Sequence, residues 1–146
     1  MKMSKSEIAQ AMSGLIGFMG PYQGAAMIEG MKGEEAEFFK ISALEWSVLI
    51  LTMPKSYETD GQGMAAVAQL HYFKGGMDWY ITEKDAGEKA DGSPGQQHQA
   101  FGWADLGYGG ELGYISIAEI IANGGELDLH WAPKPLGQIA KIKVAA

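Results

Sequence analysis

LHYFKGGMDWYITEKD, residues 70 to 85, decides the fold. Two runs rich in aromatic and β-branched residues flank Gly75-Gly76, and such a pair is a strong short-range signal for a two-residue hairpin turn. The turn sets the register. Lys74 falls opposite Met77, Phe73 opposite Asp78, Tyr72 opposite Trp79, His71 opposite Tyr80 and Leu70 opposite Ile81. Side chains alternate between the faces of a strand. One face therefore carries Ala68, Leu70, Tyr72, Met77, Trp79 and Ile81, and reads as a core face. The other carries Gln69, His71, Phe73, Asp78, Tyr80 and Thr82. His71 lies opposite Tyr80 and diagonal to Asp78, within reach of one hydrogen-bonded cluster. A slip of one residue would exchange the two faces.

Outward from the hairpin, the chain divides in character at Pro54. Before it, Ser4-x-x-Glu7 reads as a capping box, followed by Ile8, Met12, Leu15, Ile16 and Met19 at helical spacing. Gly20-Pro21 ends that helix, and residues 24–33 form a short helix at best. Glu34, Glu35 and Glu37 open a third helix, where its dipole favours negative charge. Phe38, Ile41, Leu44, Val48 and Leu51 are its predicted apolar stripe, and Pro54 stops it. Seven of the nine methionines lie in residues 1–53, as packing residues of a core.

After Pro54, residues 55–63 read as a polar connection, and 65–73 and 77–83 as the hairpin strands. Asp91-Gly92 and Pro94-Gly95 are turn signals. QAFGWADL and LGYISI read as the third and fourth strands, with a turn or bulge in residues 107–113. Ser116-x-x-Glu119 is a second capping box, opening a short helix that ends at Asn123-Gly124-Gly125. ELDLHW alternates strictly and reads as a fifth strand. The expected fold is α+β: N-terminal helices on a mainly antiparallel sheet of about five strands, with one short helix before the last. The 146 residues are expected to form one domain, helical over 1–53 and sheet over 54–146.

The chain has no cysteine, which excludes disulfides and thiolate metal sites and points to a reducing cytoplasm. Its start lacks the layout of a signal peptide, and its longest apolar run is far too short to span a bilayer. No membrane partner is expected. The formal net charge is −7, and all eleven basic residues are lysine. Arginine is the usual reader of phosphates and guanine edges, and the region from Asp78 to Asp128 is strongly acidic. Direct nucleic-acid binding is not expected.

The candidate functional surface is His71, Asp78 and Tyr80 on the hairpin, with Asp128 and His130 from the polar side of the fifth strand. A histidine beside a carboxylate can act as a general base or a metal ligand. It can equally be hydrogen-bonded to hold the sheet, or lie on a solvated face. One or other of these two structural roles is expected, because no histidine spacing matches a metal motif. The third histidine, His98, falls in a loop. No cofactor, no metal and no catalytic residue is assigned. The glycine patterns at 61–66 and 107–113 lack the context of nucleotide-binding loops. If the His71 face is exposed, His71→Ala should cost about 0.5 kcal/mol or less.

YETDGQG, LHYFKGGMDWYITEKD, FGWADLG, ELGYISIAEI and DLHWAPKPLGQI occur here in one order. In that order they resemble an uncharacterised family of small plasmid- and phage-borne proteins, domain of unknown function 2958, over residues 54–141. The resemblance implies an accessory protein of a mobile element or its bacterial host, and supplies no reaction, catalytic residue or cofactor. Residues 1–53 stand outside it as an added helical cover. The function expected is a non-enzymatic protein-binding or interaction module, whose partner is another protein or a second copy of the chain. The alternative is a small enzyme or ligand-binding domain built on the His71, Asp78 and Tyr80 cluster.

Overall fold

The computed structural model describes residues 3–90 and 95–142. The turn expected at Asp91-Gly92, and Pro94 of the next one, lie outside them. Three helices come first: α1 (Lys5–Leu15), α2 (Pro21–Gly30) and α3 (Ala36–Thr52). Strands β1 (Val67–Ala68), β2 (Leu70–Lys74), β3 (Met77–Glu83), β4 (Ala100–Asp105) and β5 (Gly110–Ile115) follow. Then come α4 (Ile117–Ala122), β6 (Glu126–Leu127) and β7 (Lys134–Pro135). The main sheet is antiparallel, in the order β5-β4-β3-β2-β6, and β1 and β7 pair separately. This is the α+β arrangement expected, with the short helix ahead of the last strands. Among the described residues, no helix is long and apolar enough to cross a membrane.

The hairpin has the register set by its turn, from Lys74 opposite Met77 to Leu70 opposite Ile81. Gly75 adopts φ 56°, a left-handed conformation that glycine reaches without steric cost. Leu70, Tyr72 and Ile81 are fully buried against the helices, with Trp79 half-buried beside them. The Tyr72 hydroxyl donates to the carbonyl of Phe18, tying the hairpin to the α1–α2 connection. Burial pushes that phenol's pKa up. On α2, Gln23 donates to the Leu127 carbonyl at 2.6 Å and accepts from the Leu127 N–H at 2.9 Å. One side chain thus pairs with β6 from outside the sheet.

Ser4 and Glu7 form the full reciprocal box expected, whereas at α4 the structure shows one half of the expected box, Ser116 accepting from the Glu119 N–H. Four expectations need correction. Pro21 is the first residue of α2 rather than only the stop of α1, because a first-turn proline loses no helical hydrogen bond. Ile16 lies past the end of α1 and is exposed. The buried face of α3 is Ser42, Ala43, Trp46 and Ile50, while Phe38, Val48 and Leu51 are exposed. The small residues of that face let α3 approach α1, where a Cβ on Gly14 would stand 3.1 Å from that of Ser47. The fifth strand, finally, pairs only through Glu126 and Leu127.

The fourth correction shapes the site. Asp128 makes one more backbone bond to His71, then its carboxylate accepts the His130 N–H at 2.9 Å. That local turn ends the strand and swings Trp131 beneath the sheet, where its indole donates to the Ala68 carbonyl at 2.9 Å. The segment beyond brings Leu136, Ile139 and Ile142 against Tyr80 and Ala68 as a second, smaller core. The sheet face expected to be polar is therefore covered over β2 and β3.

Candidate functional site

The structure brings His71, Asp78, Tyr80 and Asp128 together, and leaves His130 apart. His71 Nε2 lies 2.7 Å from Asp78 Oδ1, and Nδ1 lies 2.9 Å from Asp128 Oδ2. Lys141 donates to the other Asp78 oxygen at 2.5 Å. The imidazole stacks on the Tyr80 ring, with centroids 4.6 Å apart and planes 8° from parallel. Trp131 closes a further side at 5.3 Å. The side chains of His71 and Asp78 are 13% and 8% exposed.

Carboxylates accept and do not donate, so a ring that satisfies both of these bonds donates from both nitrogens. In that form two cations, His71 and Lys141, balance two carboxylates. Each ring nitrogen and each Asp78 oxygen has a partner inside the fold. Both Asp128 oxygens are taken as well, by His71 and by the His130 N–H. A ring that donates from both nitrogens has no free nitrogen to take a substrate proton. Burial, followed by the charges of Asp78, Asp105 and Asp128, pushes the Tyr80 phenol up to about 12, so it holds its proton at neutral pH. Asp78 and Tyr80 are buried, and the cluster fastens the hairpin to the turn after β6 and to the C-terminal segment.

The His130 ring instead stacks on Phe38 at 5.5 Å, in a groove of about 340 Å³ with Trp46 and Glu45. His98 is exposed, within reach of Ser116 and Gln96. Among the described residues, no group of three or more His, Asp or Glu is placed to hold a metal ion.

A second constellation was not anticipated. The β3 ladder passes from Ile81 opposite Gly102 to Glu83 opposite Phe101, so two residues of β3 oppose one of β4. This bulge turns Glu83 away from the helices and onto the face that carries Phe101 and Tyr114. Gly102 makes it possible: a Cβ there would lie 1.9 Å from the Tyr80 carbonyl oxygen. Glu83 is 5% exposed. Its carboxylate accepts the N–H of Tyr57 at 2.8 Å, the N–H of Thr59 at 2.9 Å, and the Thr59 hydroxyl. The connection at 55–61 is thereby pinned to the sheet.

Within that connection Tyr57 adopts φ 71°, a left-handed conformation costly for a residue with a Cβ. Its hydroxyl meets that of Tyr114 at 3.1 Å. Tyr57, Phe101 and Tyr114 border a cavity of about 400 Å³ with Asp60 and Glu83. The Phe101 and Tyr114 rings stand at 83° to each other, centroids 5.7 Å apart. The hydrogen bond to Tyr57 is the main cause that raises the Tyr114 pKa, and Glu83 and Asp60 add to it. The available signal in the sequence was Glu83 itself, a carboxylate at a position that strict alternation assigns to the core face.

No family model matches the chain, and no curated protein or solved structure matches it.

Proposed function

We propose that the chain is a non-enzymatic protein-binding module, an accessory protein of the plasmid- and phage-borne kind that its motifs resemble. The observation that carries this reading is the division of one sheet face into two halves. Over β2 and β3 the face is closed by the C-terminal segment and its polar atoms are partnered internally. Beyond Trp103 of β4, which still packs on the smaller core, it is open over β5, with Leu112 38%, Tyr114 61% and the neighbouring Tyr57 71% exposed. Exposed tyrosines supply large contact area at a small cost in rotamer freedom, as protein contact surfaces require. The sheet's two edges also differ. Gln23 covers β6, whereas β5 ends the sheet and pairs with β4 alone among the described strands. An unprotected edge beside exposed aromatics suits an incoming extended segment.

The test is capture from a bacterial lysate by the wild-type chain and by a Tyr57→Ser/Tyr114→Ser variant. A partner retained by the wild type and lost by the double variant supports the reading. Equal capture by both, or loss only with His71 variants, contradicts it.

A further inference from the structure

Glu83 and Asp78 are both buried carboxylates, but they are balanced differently. Asp78 has the Lys141 ammonium at 2.5 Å and the His71 ring at 2.7 Å as partners. The three donors to Glu83 are two backbone N–H groups and a hydroxyl, all neutral. They give both of its oxygens a hydrogen-bond partner and leave its charge. Lys84, next in sequence, directs its ammonium to the carbonyls of Ile50 and Leu51 at 2.6 and 3.1 Å. The cavity beside Glu83 also carries Asp60 and has no basic residue in its described lining. Three rings, Tyr57, Phe101 and Tyr114, form part of its wall, the last two set edge to face. A charge taken out of water without a counter-ion is unfavourable, and an adjoining aromatic wall attracts cations through the negative face of its rings.

We propose that this cavity receives the cationic side chain, lysine or arginine, of a partner protein. The inference rests on the binding-module reading and adds the chemistry of the residue bound. The cavity volume of about 400 Å³ is within the range of small-ligand sites and accommodates one long side chain. The aliphatic stem lies along Phe101 and Leu112, and the charged end faces Asp60 and Glu83. A small inorganic cation is less suited, because the Glu83 oxygens already accept three hydrogen bonds and the rest of the described lining offers one further carboxylate, that of Asp60.

The experiment titrates the full-length protein with blocked pentapeptides carrying a central lysine, arginine, norleucine or glutamate, and follows the ring proton signals of Tyr57, Phe101 and Tyr114 by NMR. The lysine or arginine peptide should shift all three rings saturably. Norleucine, of similar shape without charge, should bind about tenfold more weakly, and glutamate should not bind. Asp60→Asn should weaken the cationic peptide by about threefold, and added salt should weaken it further. Equal shifts with norleucine overturn the proposal and make the cavity an apolar groove. No shift with either cationic peptide overturns it as well. In both cases a partner whose capture needs Tyr57 and Tyr114 would leave the broader reading standing.

Discussion

Replacing His71 by alanine tests whether the cluster on the closed half of the sheet is structural. The substitution removes two hydrogen bonds to carboxylates, at 2.7 and 2.9 Å, and a stacked contact with Tyr80. Bonds to charged groups contribute about 1.5–3 kcal/mol each, and a ring stack about 0.5–1.5 kcal/mol. Both need discounting. Asp78 keeps Lys141, and the Asp128 side chain is 25% exposed, so water recovers part of its loss. A net cost of about 3 kcal/mol remains, within the range for stripping one partner from a buried ion pair. This replaces the value of about 0.5 kcal/mol expected for an exposed face.

The assay is urea unfolding followed by tryptophan fluorescence, with a double-mutant cycle between His71→Ala and Asp78→Asn. The midpoint should fall with no change in slope, and the pair should couple by more than about 1 kcal/mol. A loss below about 1 kcal/mol with additive single variants would refute the reasoning, because the network would then hold nothing together.

Three further substitutions probe the frame. Gly102→Ala places a Cβ 1.9 Å from the Tyr80 carbonyl oxygen, so backbone must move; urea unfolding should register a loss of about 3 kcal/mol or failure to fold. Glu83→Gln turns one acceptor into a donor opposite the loop amides; a loss of about 2 kcal/mol is expected, with faster hydrogen exchange at Tyr57 and Thr59. Lys84→Met removes two hydrogen bonds to the last turn of α3 and should cost about 1–2 kcal/mol near neutral pH. Burial, foremost, holds the Lys84 pKa below the usual lysine value. The unfolded chain therefore keeps that proton to higher pH than the folded one. Stability of the wild type relative to Lys84→Met should rise with pH between the lowered folded value and the ordinary lysine range, and a fall there would contradict the assignment.

The hairpin was legible because its turn has only two residues. With Gly75-Gly76 fixed, every cross-strand partner down to Leu70 and Ile81 follows, and so does the meeting of His71, Asp78 and Tyr80. The buried face of α3 was not legible. The helix is apolar almost all round, so spacing alone could not choose between the stripe through Leu44 and Val48 and the one through Ala43 and Trp46. Close approach to α1 decided it, and that is a tertiary effect. ELDLHW alternates as a strand should, but the side chain of Asp128 accepts a backbone N–H two residues on and turns the chain. His130 left the site by that turn, and Trp131 entered it. Lys141 lies too far along the chain for any local pattern to connect it with Asp78.

Glu83 shows why the second constellation escaped a reading by alternation. Period two places residues 77, 79, 81 and 83 on one face, and a carboxylate at 83 would then point into the helical core. No cation in the sequence pattern faces that position, so such a strand would bury an unpaired charge. The bulge resolves the conflict by shifting Glu83 one face over, where backbone amides of 57–59 can reach it. That solution has two consequences. It fixes Tyr57 in a left-handed conformation a tyrosine would otherwise avoid, and it leaves one negative charge without a counter-ion beside an aromatic cavity. Local strain and an unbalanced buried charge are each tolerated where the surrounding structure enforces them, and they occur here within one loop. The half of the sheet that departs from regular pairing is therefore the half where a partner should be sought, and the regular half, with its saturated histidine, is where stability should be measured.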